Sequence, residues 1–509
     1  MRERVHNPGR ARPLRIALWI GLTIAFAATS ALQASESLAT TGDQARNADA
    51  PSEAAPAANL SGDWAGSIDL PTGELVIATS FEYSDGRWLG TIDIPAQGAR
   101  RLGLREITIG GDRVHFEIVG VPGQPTFRGT IDGDEMAGQF TQSGAELFFE
   151  LKRGASADFG RPQAPQPPFP YTSEAVEYTN GRIRLAGTLT LPEGAGPHPA
   201  VVLLSGSGPQ DRNGTLFNHE PFLVLADQLG RRGIAVLRSD DRGVGGSSGT
   251  LQVATIEDLA ADARAAVAYL ANRPEVDSAA IGLLGHSEGG LVAPAALQHD
   301  ETEREGSIRF VVLLGAPGVR GDLLLARQTE LLLEANGVDS TEATAQVGLL
   351  RNALDLVLSN APEVERRSAL RALAKRQLKS LPEAERRALG SSTESFIDQQ
   401  ITMALTPWFT YFVRYDPLNA LSALEVPVLS IHGSLDLQVD PSQNAPAIRN
   451  ALTDHGDATI LVLDDLNHLL QTATTGSPLE YGVIEETIDP LVLETIFRWI
   501  AERFPPSKN

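Results

Sequence analysis

The stretch IGLLGHSEGGLVAP, Ile281 to Pro294, passes from an apolar run through a polar bend into a second apolar run. Small residues crowd the bend: Gly285 stands two positions before Ser287, and Gly289 and Gly290 follow it. Such a pattern fits an ordinary strand-to-helix loop, or a serine held on a sharp turn between a buried strand and a helix. That turn closes only when small residues stand two positions either side of the serine. G-x-S-x-G occurs twice here, at Gly285–Gly289 and at Gly245–Gly249. Context separates the two. AAIGLLG runs directly into Ser287 and GLVAPAALQ leaves it, whereas Ser247 lies several residues past its strand in a glycine-rich loop. Ser287 is the candidate nucleophile, and Ser247 reads as a residue that accommodates the backbone.

Outward from this bend, short apolar segments alternate with helical ones. PAVVLLSG, GIAVLRS, AAIGLLG, FVVLLGAPG and VPVLSIHG have the continuous apolar character of strands covered on both faces, and TIEDLAADARAAVAYLANR has a helical period. The alternation predicts an α/β fold with a parallel sheet. It breaks once, between Gly318 and about Leu421, where only helical signals occur, so a helical cap is expected over about 319–421. Leu60 to Arg153 is different. Turns at Ser84-Asp85-Gly86, Gly110-Gly111-Asp112 and Asp132-Gly133-Asp134 separate short runs with period-two alternation, as at Val114, Phe116 and Ile118. About eight strands at this spacing predict a small all-β barrel-like or sandwich domain, an accessory unit that binds a ligand or packs on its neighbour. GRPQAPQPPFP, within residues 154–172, reads as a semi-rigid linker.

The first 34 residues read as an export signal. Arg2, Arg4, Arg10, Arg12 and Arg15 precede an apolar core, Ile16 to Thr29, and small residues follow, with cleavage expected after Ala31 or Ala34. The core is shorter than the about 20 residues that span a bilayer. Residues 35–59 are Ala/Pro-rich and polar, as in a disordered leader. The protein is therefore expected in the periplasm or outside the cell, with no stable membrane span once the signal is removed. The 509 residues carry a net charge of −22, which repels a phosphate backbone, so nucleic acid is excluded as a partner. The chain has no cysteine, which removes disulfides, thiolate metal sites and a cysteine nucleophile.

A nucleophilic serine needs a base and a group to orient that base, and on strand–turn–helix elbows these follow in the order Ser, acid, His. His299, His432, His455 and His468 follow Ser287. His299 lies in a polar stretch, His432 inside a strand, and His455 ahead of the last strand. His468, in LNHLL, occupies a loop after the strand ATILVLDD, where a base belongs. Asp436 lies just past its strand in IHGSLDLQVDP. Asp440 is the fallback, and Asp464 and Asp465 end their strand. The expected catalytic set is Ser287, Asp436 and His468. The expected oxyanion donors are the Glu288 amide and an amide of Ser207 or Gly208 in the loop after VVLLSG. The Glu288 carboxylate suits the positive end of the helix that follows.

GSGPQDRNG, PFLVLADQLGRRGIAVLRSDDRGVGGSSG, GHSEGG, TPWFTYFVRYDP, VPVLSIHGSLDLQV and LNHLLQTATTGSPLEY together resemble bacterial capped α/β-hydrolases of the serine carboxylesterase type, relatives of serine aminopeptidases and dipeptidyl-peptidase-like hydrolases. The resemblance covers about residues 173–507. It implies the α/β-hydrolase fold, the Ser287–His468–Asp436 set, oxyanion donors in the Ser205–Gly208 loop, and no metal or organic cofactor. It also implies that Asp241 and Arg242 are structural, and Asn213 departs from the acidic residue expected there. Trp408, Phe409, Tyr411 and Phe412 either anchor the cap or wall an acyl pocket; Trp408, Phe409 and Tyr411 are the candidate substrate contacts. The expected activity is hydrolysis of small-molecule carboxylic esters through an acyl-enzyme. A peptidase, an acyltransferase, or a binding protein with a vestigial hydrolase fold are the alternatives.

Overall fold

The computed structural model describes residues 59–506, except 71–72, 85, 95–98, 122, 124, 143–144, 155–160, 299–306 and 381–392. The export signal, the leader through residue 58, Asp85 of the first expected hairpin turn, linker residues 155–160 and His299 lie outside the described residues. Among the described residues no helix is long and apolar enough to cross a membrane.

The β-rich region forms a closed barrel rather than a sandwich. Strands β1 (Gly62–Leu70), β2 (Gly73–Ser84), β3 (Arg87–Ile94), β4 (Ala99–Gly110), β5 (Arg113–Ile118), β6 (Thr126–Asp132), β7 (Glu135–Gln142) and β8 (Ala145–Arg153) pair in chain order, and β8 closes on β1. Val114, Phe116 and Ile118 of β5 all point inward, as their alternation predicts. An eight-stranded barrel is just wide enough for side chains to fill. Trp64, Phe116, Phe127 and Phe149 do so, with Phe116 and Phe127 stacked at 4.6 Å. The interior is a packed core.

The proline-rich segment is tied down from Arg161 onward instead of running as a free spacer. The Arg161 guanidinium donates to the carbonyls of Phe217 (2.7 Å) and Gly482 (3.0 Å), and Gln163 donates to the carbonyl of Ile488 at 2.6 Å. Composition shows the prolines; these two side chains fix the segment together with Arg231, which donates to the carbonyls of Gln166 (2.7 Å) and Pro168 (3.0 Å).

Beyond it lies an eight-stranded sheet: β9 (Tyr171–Asn180), β10 (Ile183–Pro192), β11 (His198–Leu204), β12 (Ala235–Ser239), β13 (Val276–His286), β14 (Phe310–Leu314), β15 (Val428–Gly433) and β16 (Ala458–Leu463). Its spatial order is β9-β10-β12-β11-β13-β14-β15-β16. β9 and β10 are antiparallel to their neighbours, and β11 to β16 are mutually parallel. Helices α1 (Pro221–Gly230), α2 (Ile256–Ala271) and α3 (Gly289–Leu297) connect the first strands. The cap consists of α4 (Gly321–Ala335), α5 (Ser340–Leu358), α6 (Glu363–Ser380), α7 (Thr393–Ala404), α8 (Pro407–Arg414) and α9 (Leu418–Ser422), followed by α10 (Pro441–Ala451) and α11 (Pro490–Arg503).

Strand periodicity sends alternate residues to opposite faces of the sheet. Val201, Leu203, Val312 and Leu314 pack with Phe222 and Leu225 of α1 and Val492 and Ile496 of α11. Val202, Val311 and Leu313 pack on the other face with α2, α3 and the cap. Both faces are buried, which leaves the carboxyl ends of the parallel strands for a site. Ligands of such open sheets bind there.

Candidate active site

Ser287 joins β13 to α3 in a left-handed conformation, φ 53°. A non-glycine residue there is uncommon and needs its surroundings to hold it. Its N–H donates to the Leu314 carbonyl at 2.9 Å, and its own carbonyl accepts from Gly290 N–H at 2.9 Å. The glycines are required by contact. A Cβ at Gly285 would sit 2.1 Å from the Gly289 carbonyl oxygen, and one at Gly289 would sit 2.3 Å from that of Leu204. The bend is an elbow, with the serine side chain presented at the sheet's carboxyl end.

Asp436 and His468 follow β15 and β16, and both are buried. His468 Nδ1 lies 2.7 Å from Asp436 Oδ2, while Asp436 Oδ1 accepts the N–H groups of Gln438 and Val439, each at 2.8 Å. A carboxylate so fixed takes a proton-bearing Nδ1, which leaves Nε2 with a lone pair in the cleft that Ser287 and His468 both line. The sequence reading missed two neighbours. His286 donates from Nε2 to the His468 carbonyl at 3.0 Å, and burial pushes its pKa down to about 4, so it stays neutral and braces that backbone. Gly315 follows β14 at φ 53°, and a Cβ there would lie 3.2 Å from His468 Nδ1 and 3.4 Å from Asp436 Oδ2. Gly315→Ala is expected to cost about 1–2 kcal/mol in a urea melt and to lower kcat roughly tenfold by tilting the imidazole. An unchanged kcat would mean that nothing at residue 315 bears on the ring.

The other candidates have structural partners. Asp440 caps α10 through Ser442 N–H at 2.8 Å and pairs with Arg327 of the cap at 2.7 Å. Asp464 and Asp465 lie past the end of β16. His432 is buried within β15 beside Ser430 Oγ, 3.0 Å away, and His455 Nδ1 accepts from Asp457 N–H at 3.0 Å. Ser247 donates to the Asp240 carbonyl at 2.7 Å and accepts from Ala186 N–H, a loop brace.

The loop after β11, Ser205 to Gly208, crosses in front of Ser287. A Cβ at Gly206 would lie 3.2 Å from that of Ser287, and Gly208 has φ 86°. Among the described residues the amides of Ser207, Gly208 and Glu288 have no protein acceptor. Asp241 does more than shape its own loop: it accepts from Ser205 Oγ at 2.6 Å and from Gln210 N–H at 2.8 Å. Burial raises its pKa to about 7. Arg242 pairs with Asp262 at 2.6 Å, Arg212 pairs with Asp240 at 2.6 Å, and Asn213 donates to Glu220 at 2.8 Å. These three shape the loops behind the site.

The Glu288 side chain has its partner in the cap rather than in its own helix. It makes no cap hydrogen bond to its helix. It is 3% exposed and accepts from Trp408 Nε1 at 2.8 Å. Burial raises its pKa to about 7, opposed by the hydrogen bond from Trp408.

Above the elbow the cap leaves an open cleft of about 760 Å³, walled by Leu324, Leu325 and Gln328 of α4, Trp408, Phe409 and Phe412 of α8, and Val439 and Leu469. Tyr411, expected among these, is not: its hydroxyl donates to Glu257 of α2 at 3.1 Å. At about 100° per residue Trp408, Phe412 and Phe409 share one helical face, and Tyr411 falls outside it. The α4 residues carry no motif, so nothing in the sequence marked them.

The family model Hydrolase_4, serine aminopeptidase S33, matches residues 219–368, from α1 into the cap. The match, the strand order and the elbow agree on one fold. The chain has the α/β-hydrolase fold. The chain is 28% identical to esterase EstD of Thermotoga maritima over 319 residues, 62% of this chain and 66% of that protein. It is 34% identical over 124 residues to an uncharacterized protein of Mycobacterium tuberculosis, 24% of this chain and 40% of that one. The chain thus spans less than two thirds of the length of these curated relatives. Among solved structures, an esterase of Pyrococcus furiosus is 18% identical, with 66% of this chain and 92% of that chain covered and a TM-score of 0.40.

Proposed function

We propose that this protein is a serine carboxylesterase working through an acyl-enzyme. In this reading His468 Nε2 takes the Ser287 hydroxyl proton as Oγ attacks the ester carbonyl. The amides of Glu288 and of Ser207 or Gly208 receive the negative charge that develops on the carbonyl oxygen. The tetrahedral intermediate collapses, His468 returns the proton to the departing alkoxide, and an alcohol leaves. Water then repeats the sequence on the acyl-enzyme, releasing the acid and free Ser287. Asp436 holds the imidazole tautomer and stabilises its charged form throughout.

One observation favours an ester over a peptide with a free amine. Glu288 is the one carboxylate among the described residues lining the cleft, and it is buried with Oε1 taken by Trp408 Nε1. The apolar wall suits an acyl chain, and EstD is named an esterase. The peptidase reading rests on the name of the matching family. The export signal read at residues 1–34 supports an activity outside the cytoplasm.

The test is a chain-length series of p-nitrophenyl esters with an aminoacyl-p-nitroanilide beside it. Ester turnover with an optimum at a medium chain is expected, and Phe412→Ala should move that optimum to longer chains by removing a wall of the cleft. Anilide turnover above ester turnover would replace the esterase reading with the peptidase one.

A further inference from the structure

Gln328 interrupts the apolar face that the first helix of the cap turns toward the cleft. Leu324, Gln328 and Leu332 of α4 follow one another at intervals of four, and all three are buried. Residues so spaced lie on one face of a helix. Leu324, Leu325 and Gln328 line the cleft above Ser287. A leucine at position 328 would continue the stripe. The chain carries an amide there instead, on a residue only 8% exposed.

Among the described residues no hydrogen bond reaches that amide. Its polar atoms are not sealed in the packing either, and the space beside them is the cleft. The other amide side chains of the cleft are engaged. Gln438 Nε2 donates to the Tyr481 hydroxyl at 2.8 Å, and Gln210 Nε2 donates to the Ser207 carbonyl at 3.3 Å. An amide set into an apolar wall costs stability unless something hydrogen-bonds to it. With no partner from the protein, the partner has to come from what fills the cleft.

The charge of the cleft narrows that partner. No Lys or Arg is among the described residues lining it, so a carboxylate on the acyl chain would meet no countercharge. Glu288 is buried with Oε1 taken by Trp408 Nε1, so an amine is equally ill served. A neutral group remains. An amide both donates and accepts, and a hydroxyl answers with both functions.

We propose that Gln328 is a specificity-determining residue whose amide receives a hydroxyl borne on the acyl chain, so that the preferred substrates are esters of hydroxylated acids. This deepens the esterase reading and rests on it. The apolar wall at Leu325 and Phe412 can hold a chain anywhere along its length. Gln328 adds one polar point at a fixed depth, and that depth selects the position of the hydroxyl.

The test sets ethyl octanoate beside its 3-, 5- and 7-hydroxy forms, followed in a pH-stat with wild type and Gln328→Met. Methionine keeps the length of the side chain and its place in the stripe but has no amide. In wild type one hydroxyl position should exceed the other two in kcat/KM by roughly tenfold, about the effect of one hydrogen bond. Gln328→Met should level the three and raise kcat/KM on the plain ester roughly threefold, because the wall becomes wholly apolar. Its melting temperature should rise by about 1–3 °C, since an unpaired amide has left that wall. A flat series in wild type, which needs no variant to fold, would overturn the proposal. So would a position preference that survives in Gln328→Met, since the amide would then be a packing feature only. Alkyl fluorophosphonates bearing a hydroxyl at the same positions label Ser287 without any ester. If wild type is labelled but cleaves none of the four esters, the esterase reading fails while the labelling rates still decide the role of Gln328.

Discussion

Replacing Ser287 with alanine is expected to lower ester turnover by roughly 10⁴- to 10⁶-fold, the loss seen when a triad serine is removed, and to leave the melting temperature within about 3 °C. The two halves of this result have separate causes. The elbow is held by backbone bonds, from Ser287 N–H to Leu314 and from Gly290 N–H to the Ser287 carbonyl, which alanine keeps. The φ of 53° strains alanine as much as serine, so the turn gains or loses little. Catalysis loses its only covalent anchor. The cleft walls stay in place, so a product acid should still bind the variant. Residual kcat within tenfold of wild type would mean that another group carries the chemistry.

Asp436→Asn should be nearly as damaging to kcat, roughly 10⁴-fold, for a subtler reason. The asparagine carbonyl oxygen can take over the Oδ1 position and keep the N–H groups of Gln438 and Val439, each 2.8 Å from it. Its NH₂ then faces His468 Nδ1, where the carboxylate Oδ2 now stands 2.7 Å away. A donor there selects the imidazole tautomer protonated on Nε2, which has no lone pair for the serine proton. The fold stays and the base is lost. A variant within tenfold of wild type would show that the pair does not set the tautomer, whereas a variant that fails to fold would show that its charge is structural.

How legible was this in the sequence? Ser287 could be read because the elbow is local: the strand, the small residues and the helix lie within a dozen positions. Asp436 and His468 could be read because each follows its own apolar strand. The long-range contacts could not. Trp408 and Glu288 are 120 positions apart and His286 and His468 are 182 apart, and neither pair leaves a periodic trace. Tyr411 was misplaced for a simpler reason. A cluster of aromatics shows how much apolar surface a helix carries but not which way each ring turns, and α8 gives Phe412 to the cleft and Tyr411 to Glu257. The barrel's closure, too, depends on β1 meeting β8, which no single hairpin specifies.

The anchored linker sets where the catalytic unit can be cut. Leu216 and Leu469 line the cleft, and both belong to a small apolar cluster with Phe217 and Tyr481. Arg161 grips that cluster from outside, through the carbonyls of Phe217 and Gly482. An excised hydrolase that begins at Tyr171, where its sheet starts, would carry every catalytic side chain and yet lack this clasp. Its cleft rim would loosen, and lost activity could be blamed on the missing barrel. The excision point that separates the two units cleanly falls ahead of Arg161.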